Sequence, residues 1–483
     1  MKNKSLKVNF VMNIILTLSS FIFPLITFPY ISRILLPAGT GKVSFAASII
    51  SYFSMFAQLG IPTYGIRICA SVRENKEKLT KTVHELLIIN LLMSFISYCA
   101  FFVCLSAVPK MQEEKTLFIV MSFTIILNSI GMEWLYKALE QYTYITIRSI
   151  IFKIVALLAM FLLIHKQSDY IIYGGITIFA ASASNIFNFI NIHKYINLKP
   201  LGNYNLKQHF KPISIFFAMA CASTIYVNLD SVMLGFMATD IDVGYYNAAV
   251  KIKNILVSIV TSLGTVLLPR VSYYIENKMM YEFKKITKKA INFTFIIATP
   301  LMIYFIMFAR EGIFFLSGEA YVGAIIPMQL IMPTLLFIGV TNVLGIQILV
   351  PLGKEKIVLY SEIIGAITDI IINAILIPRF VSAGAAIGTL IAELSVFIVQ
   401  YLSLRNEVKS VFRQLHYFRI IVAIVLSIIA SIWIKIININ YFVTLVISSI
   451  LFFGTYIIFL LLKREELIVE IWNMVTIKFL KKK

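Results

Sequence analysis

Apolar residues fill this chain in about fourteen long stretches, which short polar segments separate. Each stretch holds about 20 mostly apolar residues, the length that crosses the hydrocarbon core of a bilayer. The stretches lack the alternating pattern of a β-barrel strand, so each is predicted to be a helix. The sequence predicts an all-α polytopic membrane protein with spans near 10–32, 43–66, 83–107, 116–136, 145–164, 170–192, 212–236, 245–267, 291–309, 325–349, 357–377, 383–404, 418–436 and 441–462.

Composition and charge placement support a membrane location. Hydrophobic residues make up 59% of the chain and charged residues 14%, far from the mix of a soluble domain. The net charge of +20 could indicate a nucleic-acid partner, but 33 of the 43 Lys and Arg residues fall on the side that also holds both termini. The positive-inside rule therefore places both termini in the cytoplasm. The same bias explains the basic excess as a topology signal, so we expect no nucleic-acid partner.

The sequence contains no complete motif of an enzyme, a metal site or a nucleotide site. The segment 39–44 is similar to a phosphate-binding loop, but Leu36 and Val43 occupy positions that need Gly and Ser or Thr. The four cysteines and five histidines have no paired or ligand spacing. Lys2, Lys4 and Lys7 precede an apolar run that lacks a cleavage site, so the run is predicted to be an uncleaved first helix. We expect no catalytic residues, no metal and no cofactor beyond a coupling ion, H+ or Na+.

The chain repeats itself in parallel. Residues 41–49 align with 244–252 at an offset of 203, and the same offset places Arg67 on Arg270. Further on, Gly131 aligns with Gly345 and Gly175 with Gly384. The sequence therefore predicts two six-helix parallel repeats, 1–200 and 201–405, followed by two additional helices and a basic cytoplasmic tail in 406–483. Parallel repeats in transporters place the substrate at their interface.

Polar residues form stripes on three predicted helices. The eighth helix carries its stripe at spacings of 4, 3 and 4, which is one helical face. The alternatives are a hydrated cavity, because polar groups in hydrocarbon need partners or water, and polar helix–helix packing. We predict a substrate-binding cavity, and its candidate residues are Asn247, Lys251, Asn254 and Ser258 on the eighth helix, Ser44, Ser48, Ser51 and Gln58 on the second, and Asn228 and Ser231 on the seventh.

Charged residues suggest an anionic substrate and ion coupling. Lys251 belongs to the polar stripe and suits an anionic group such as a pyrophosphate; snorkelling to the outer interface is the alternative. Further cations at the cavity mouths are Arg33 and Lys42 on the outer side and Arg67 and Arg270 on the inner side. The carboxylates that suit ion coupling are Asp230, Glu362, Asp369, Glu393 and Glu133. Structural pairing, for instance of Glu133 with Arg148, is the other interpretation.

Four stretches carry a resemblance to a known family. The chain resembles the Wzx-type polysaccharide flippases of the MATE-like multidrug/oligosaccharidyl-lipid/polysaccharide (MOP) exporter superfamily. The resemblance covers most of residues 1–405 and rests on TFPYISRILLPAGTGKVSFAASIISYFSMFAQLGIPTYGIR at 27–67, GMEWLYKALEQYTYITIRSIIFK at 131–153, NLDSVMLGFMATDIDVGYYNAAVKI at 228–252 and GIQILVPLGKEKIVLYSEIIGAITDIIINAILIPRF at 345–380.

The resemblance implies a fold and a function. The fold is a V-shaped core of twelve helices, with the first, second, seventh and eighth lining a cavity. The function is to move an undecaprenyl-pyrophosphate-linked oligosaccharide repeat unit from the cytoplasmic to the outer leaflet by alternating access, for O-antigen or capsule biosynthesis. The location that this function implies is a bacterial cytoplasmic (inner) membrane. Membrane lipids, a polysaccharide polymerase and chain-length machinery are the implied partners. Alternatives are a MATE-like drug or cation exporter, a membrane-bound glycan polymerase, and an assembly scaffold.

Overall fold

The protein is described by a computed structural model that covers residues 6–415, 417–437 and 439–470, with the side chains of residues 6, 7, 10, 21 and 263–269 left aside. The described residues form helices and contain no strand. The predicted all-α class is therefore confirmed. The lysines expected near the N-terminus, Lys2 and Lys4, and the basic tail from residue 471 onward lie outside the described residues.

The chain divides into two compact units, Met1–Gly244 and Tyr245–Lys483. The division predicted at residues 200 and 405 stays a prediction. The first unit contains the helices α1 (Leu6–Gln58), α2 (Ile61–Val72), α3 (Lys76–Ala107), α4 (Pro109–Glu113), α5 (Lys115–Gly131), α6 (Glu133–Ala138), α7 (Tyr142–Leu163), α8 (Tyr170–Ile178), α9 (Asn185–Asn191) and α10 (Lys207–Met237).

One helix, α11 (Asp240–Glu276), begins in the first unit and continues into the second. The other helices of the second unit are α12 (Met280–Met307), α13 (Ala309–Ser317), α14 (Ile325–Ile331), α15 (Thr334–Thr341), α16 (Glu355–Ser403), α17 (Arg405–Arg413), α18 (Tyr417–Ile432) and α19 (Tyr441–Leu462).

Ten helical stretches of the described residues are long and apolar enough to cross a membrane, or eleven if a bent pair counts as one span. The bent pair is Glu319–Ile331 with Thr334–Leu349, and its two parts meet at 45°. Two of the ten stretches are much longer than one span, and each of these contains a sharp break in the helix. The prediction of a multi-pass membrane protein is confirmed, whereas the count of fourteen stays a prediction.

The first break lies at Leu36 in α1. A straight helix of 53 residues would be about 80 Å long, more than twice the hydrocarbon thickness of about 30 Å. Leu36 has φ 58° and ψ 176°, and Pro37 follows it. The predicted spans 10–32 and 43–66 therefore begin on the two halves of α1, and the second span continues past Gly60, at φ 72°, into α2.

The second break lies at Val381 in α16, where φ is 42°. A Cβ added to Gly384 would lie 2.5 Å from the carbonyl oxygen of Leu376, and one added to Gly388 would lie 2.0 Å from Oδ1 of Asn373. Residues that are 8 and 15 positions apart are thus in contact, which a straight helix does not allow. The two halves of α16 form an antiparallel hairpin, and glycine permits their close approach.

The first half of α1 runs parallel to α7. Thr146 donates a hydrogen bond to the carbonyl of Met12 at 2.9 Å, and the hydroxyl of Tyr30 donates to the carbonyl of Ile164 at 2.8 Å. Between these two contacts, Nζ of Lys153 donates to Oγ of Ser19 at 2.9 Å. All three pairs are separated by 134 residues. A constant separation means that both helices advance together, so two helices of the first unit share one direction.

The second half of α1 packs against α10 in the opposite direction. Near one end, the Phe45 ring lies 5.2 Å from the Phe236 ring. Near the other end, the Phe56 ring lies 5.5 Å from the Phe217 ring. A Cβ at Gly60 would meet the backbone nitrogen of Phe217 at 2.5 Å. The sequence numbers rise on α1 as they fall on α10, so these two helices are antiparallel.

A reciprocal contact joins the start of this half of α1 to the start of α11. A Cβ at Gly41 would lie 1.7 Å from the carbonyl oxygen of Asp240, and a Cβ at Gly244 would lie 2.1 Å from the carbonyl oxygen of Pro37. The repeat offset of 203 places Gly41 on Gly244 and Pro37 on Asp240. The contact is therefore symmetric under the sequence repeat, and both glycines allow a backbone approach that other residues exclude.

Candidate functional site

The first unit contains a cavity of about 500 Å³, within the range of small-molecule sites. Residues from α1, α2, α5, α8 and α10 line it. Its polar side chains are Ser51, Ser54 and Gln58 from α1, Thr63 from α2, Thr124 and Asn128 from α5, Thr177 from α8, and Thr224 and Asn228 from α10. All of these are hydroxyl or amide groups, and the other lining residues are apolar or glycine.

Hydrogen bonds hold three amides of the cavity wall. Nε2 of Gln58 donates to Oγ of Ser54 at 3.1 Å, and Nδ2 of Asn228 donates to the carbonyl of Thr224 at 3.0 Å. Oδ1 of Asn128 accepts from Ser182 and Asn185 at 3.1 and 3.2 Å. The first two amides are thus held through their nitrogen and the third through its oxygen.

The cavity includes part of the predicted site. Ser51, Gln58 and Asn228 line it, as the polar stripes predicted. Ser48 and Ser231 are buried, at 7% and 5% exposure, and Ser44 is half-buried. These three are not among the residues that line this cavity. The stripes on α1 and α10 therefore serve both a cavity wall and helix packing.

The predicted stripe of the eighth helix lies on α11 in the second unit. Asn247, Lys251 and Ser258 are half-buried, and Asn254 is exposed. The Ser258 hydroxyl donates to the carbonyl of Ile255 at 2.6 Å. A role of these residues in substrate binding stays a prediction.

The predicted mouth cations differ in their surroundings. Arg33, Arg67 and Arg270 are exposed. Nζ of Lys42, in contrast, lies 2.5 Å from Oε1 of Glu114. The hydroxyl of Tyr170 donates to the other oxygen of the same carboxylate at 2.6 Å. The Lys42 charge is therefore already balanced, which weakens its candidacy as a contact for an anionic substrate.

Four of the five predicted carboxylates are buried or half-buried, and the fifth, Glu133, forms ion pairs. Asp230, Asp369 and Glu393 are buried, at 4%, 2% and 5% exposure. Nδ2 of Asn373 donates to Oδ1 of Asp369 at 3.1 Å, and Glu362 is half-buried on the same helix as this pair.

Glu133 forms ion pairs. Its carboxylate lies 2.8 Å from Lys137 and 3.6 Å from Arg148. This geometry favours the structural interpretation of Glu133 over ion coupling. Across the described residues, no three His, Cys, Asp or Glu side chains lie together as a metal site requires.

A buried polar cluster of the first unit was missed by the sequence analysis. Nε2–H of His209 donates to Oε2 of Glu85 at 2.9 Å, and the hydroxyl of Tyr64 lies 2.8 Å from Nδ1 of the same imidazole. Gln208 and the backbone nitrogen of Asn205 also donate to the Glu85 carboxylate, at 3.0 and 2.7 Å. The side chains of Glu85 and His209 are only 1% and 3% exposed. The cluster connects α2, α3 and the start of α10.

Comparison with known proteins identifies the family. The sequence profile of the family described as "Polysaccharide biosynthesis protein" matches residues 6–275, more than half of the chain. The chain belongs to this family. The match covers residues 6–244 of the first unit, including every residue that lines its cavity. A second profile, MatE, matches residues 215–375.

Relatives of this polysaccharide biosynthesis protein have been described in two enterobacteria. One from Escherichia coli K12, provisionally named an O-antigen transporter, is 24% identical over 395 residues, which cover 80% of this chain and 94% of the relative. A relative with the same name from Shigella dysenteriae is 23% identical over 397 residues, covering 79% and 95%. These names are those of transporters rather than enzymes, in agreement with the expectation from sequence.

The fold of the polysaccharide biosynthesis protein is also that of a solved structure. The structure titled "Lipid II flippase MurJ, inward closed conformation" superposes with a TM-score of 0.73 and 15% identity, covering 93% of this chain and 98% of that chain. Likeness at this level of identity establishes the fold alone. The predicted helical architecture is therefore confirmed, and the profile match over more than half of the chain confirms the recognised polysaccharide family.

Proposed function

We propose that this protein is a flippase, not an enzyme. It moves an undecaprenyl-pyrophosphate-linked oligosaccharide repeat unit from the cytoplasmic to the outer leaflet of a bacterial cytoplasmic membrane, for O-antigen or capsule biosynthesis. Both termini lie in the cytoplasm. The observation that carries the proposal is the polar cavity of about 500 Å³ among apolar helices of a polysaccharide biosynthesis protein. The names of the relatives and the fold shared with a lipid II flippase support it.

The physical task explains such a cavity. Polar groups that enter hydrocarbon without partners lose their hydrogen bonds with water, at a cost of several kcal/mol each. An oligosaccharide carries many hydroxyl groups, so it needs a polar path while its polyprenyl tail stays in the lipid. The hydroxyl and amide side chains of the cavity replace water along that path. Alternating access, in which the path opens first to one side and then to the other, avoids a continuous leak.

Cations and carboxylates complete the proposal. Arg67 and Arg270 meet the pyrophosphate on the cytoplasmic side, Lys251 holds it within the membrane, and Arg33 meets it on the outer side. The buried carboxylates Asp230, Asp369 and Glu393, with Glu362, offer sites where an H+ or Na+ gradient can act. Consumption of the product by a polymerase with its chain-length machinery is the other source of direction.

The cation role of Lys251 has a direct test. The full-length protein is placed in vesicles with a polyprenyl-pyrophosphate-linked oligosaccharide, and the appearance of glycan in the opposite leaflet is measured. Lys251→Ala is expected to slow flipping by about ten-fold or more, because removing one partner of a charge-assisted contact costs about 1.5–3 kcal/mol. Lys435→Ala, at an exposed cation of the second unit, is the matched control and is expected to flip at the wild-type rate.

Two results would argue against these assignments. Unchanged flipping by Lys251→Ala removes Lys251 from the substrate path. Absence of flipping by the wild-type protein above vesicles without protein overturns the flippase function itself.

The MatE profile match over residues 215–375 favours a drug or cation exporter as the second candidate. Cells that lack this protein would then accumulate a cationic dye while their surface polysaccharide stays intact. Under the flippase proposal the outcome is reversed, because the surface polysaccharide is lost and dye efflux is unaffected.

A further inference from the structure

We infer that the cavity of the first unit binds the uncharged, hydroxyl-bearing sugars of the transported glycan and discriminates against acidic sugars. The inference rests on the proposed flippase function and specifies its substrate class. The sugars bind in this cavity, whereas cations elsewhere in the chain hold the pyrophosphate.

The composition of the cavity wall is the first argument. None of its 18 lining residues is charged, and its nine polar side chains are all hydroxyls or amides. Sites that bind anions carry Arg, Lys or clustered backbone N–H groups, because an anion that leaves water needs a compensating charge or several donors. A wall of hydroxyls and amides offers no compensating charge. It suits a ligand whose own polar groups are uncharged.

The orientation of the amides is the second argument. Gln58 and Asn228 each donate one N–H to a protein group, so the oxygen and the second N–H of each amide remain for a ligand. Asn128 is held through its oxygen, so its nitrogen remains. A sugar hydroxyl both donates and accepts hydrogen bonds, so it can pair with either kind of group. A carboxylate only accepts, so amide oxygens repel it.

The charges around the cavity provide the third argument. Lys42 comes from α1, which supplies part of the wall, but its ammonium lies on Glu114 at 2.5 Å. Arg148, which is buried on α7, lies 3.6 Å from Glu133 and donates to the carbonyl of Ser184 at 2.9 Å. Lys42 and Arg148 are thus each paired with a carboxylate of the protein. An acidic sugar could use Lys42 or Arg148 as its counter-charge only by breaking the pair that holds that cation.

The test compares two substrates that differ in one group. Both are polyprenyl-pyrophosphate-linked disaccharides, one ending in glucose and the other in glucuronic acid. The full-length protein is placed in vesicles, and an impermeant pyrophosphatase releases the glycan of either substrate from the outer face. We expect the glucose substrate to flip at least about ten-fold faster. Equal rates, or faster flipping of the acidic substrate, overturn the inference while the flippase function stands. If neither substrate flips above protein-free vesicles, the function fails and the inference fails with it.

Two variants connect the preference to this cavity. Ser51→Lys adds a cation to the wall and is expected to reduce the preference for glucose by several-fold. Asn128→Asp keeps the shape of the side chain, adds an anion, and is expected to slow the acidic substrate further than the neutral one. Asn203→Lys, in an exposed segment outside the cavity, is the control and leaves the preference unchanged. If Ser51→Lys does not fold, Asn128→Asp decides; a preference that the folded variants leave unaltered overturns the assignment to this cavity.

Discussion

Replacing Gly41 or Gly244 with alanine is expected to slow flipping by roughly five- to 150-fold. The added methyl group would lie 1.7 Å or 2.1 Å from a backbone carbonyl oxygen, far inside van der Waals contact. A side chain could rotate away, but a backbone oxygen moves only if the two helix ends separate. Overpacking of this kind costs about 1–3 kcal/mol. In a transport cycle that passes through this contact, that cost reduces the population of the conformation in which the two helix ends touch by the same five- to 150-fold.

The glycine prediction has an internal control. A Cβ at Gly454 in α19 meets no atom within 4 Å, so Gly454→Ala should gain helix propensity and leave flipping intact. Flipping in vesicles and thermal melting in detergent are measured for all three variants. The repeat symmetry adds a further expectation, that Gly41→Ala and Gly244→Ala have similar effects. If Gly41→Ala and Gly244→Ala both flip substrate at the wild-type rate and melt at the wild-type temperature, the close approach is not needed for transport.

Among the variants considered, His209→Ala, which removes the buried imidazole, is expected to cause the largest decrease in the stability of the protein. His209→Ala leaves the Glu85 carboxylate, 1% exposed, without the nearer of its two side-chain partners, His209 at 2.9 Å and Gln208 at 3.0 Å. Breaking a buried ionic or charge-assisted pair by removing one partner costs about 3–5 kcal/mol. Glu85→Gln keeps an oxygen that can accept from Nε2–H of His209, so its cost should be nearer 1 kcal/mol. A larger loss of stability in His209→Ala than in Glu85→Gln would therefore show that the contact is a hydrogen bond to a buried carboxylate.

Thermal melting can follow this region through Trp134. The Trp134 side chain is 4% exposed and lies against Gly65 of α2, next to Tyr64. The control is Arg73→Gln. Arg73 is exposed and lies 2.8 Å from Glu140, a hydrogen bond that raises the pKa of the Arg73 guanidinium. Exposed pairs contribute little to stability, so this variant should melt with the wild type. If His209→Ala also melts with the wild type, the cluster does not stabilise the first unit.

The length and apolarity of the segments were enough to predict the helices and the gaps 33–42 and 378–382 that contain the two breaks, but not the backbone conformation at each break. Leu36 precedes Pro37, and residues before proline avoid the helical region, so the sequence contains a signal for the first break. Val381 has no such signal. A β-branched residue at φ 42° is strained by its own backbone, and the contacts of Gly384 and Gly388 across the hairpin favour this conformation.

The candidate site was predictable where polar residues recur along one helix. Ser51 and Gln58 on α1 belong to such a stripe, as does Asn228 on α10, and all three line the cavity. Thr124 and Asn128 also line it, but two polar residues four positions apart on α5 are too few to indicate a stripe. Thr177 lines it from α8, and the surface that it shares with α5 exists only after folding. The pair of Glu85 and His209 is separated by 124 residues, so helical periodicity could not bring its members together.

The shared direction of α1 and α7 limits where this chain tolerates a change of length. One residue inserted between Met12 and Tyr30 would turn everything beyond it by about 100° around the helix axis. Ser19 would then rotate away from Lys153, or Tyr30 away from Ile164. The same insertion near Gly202, in the exposed segment between α9 and α10, leaves both partners of each bond in place. Gaps in an alignment with relatives should therefore collect in such connections and avoid the first half of α1.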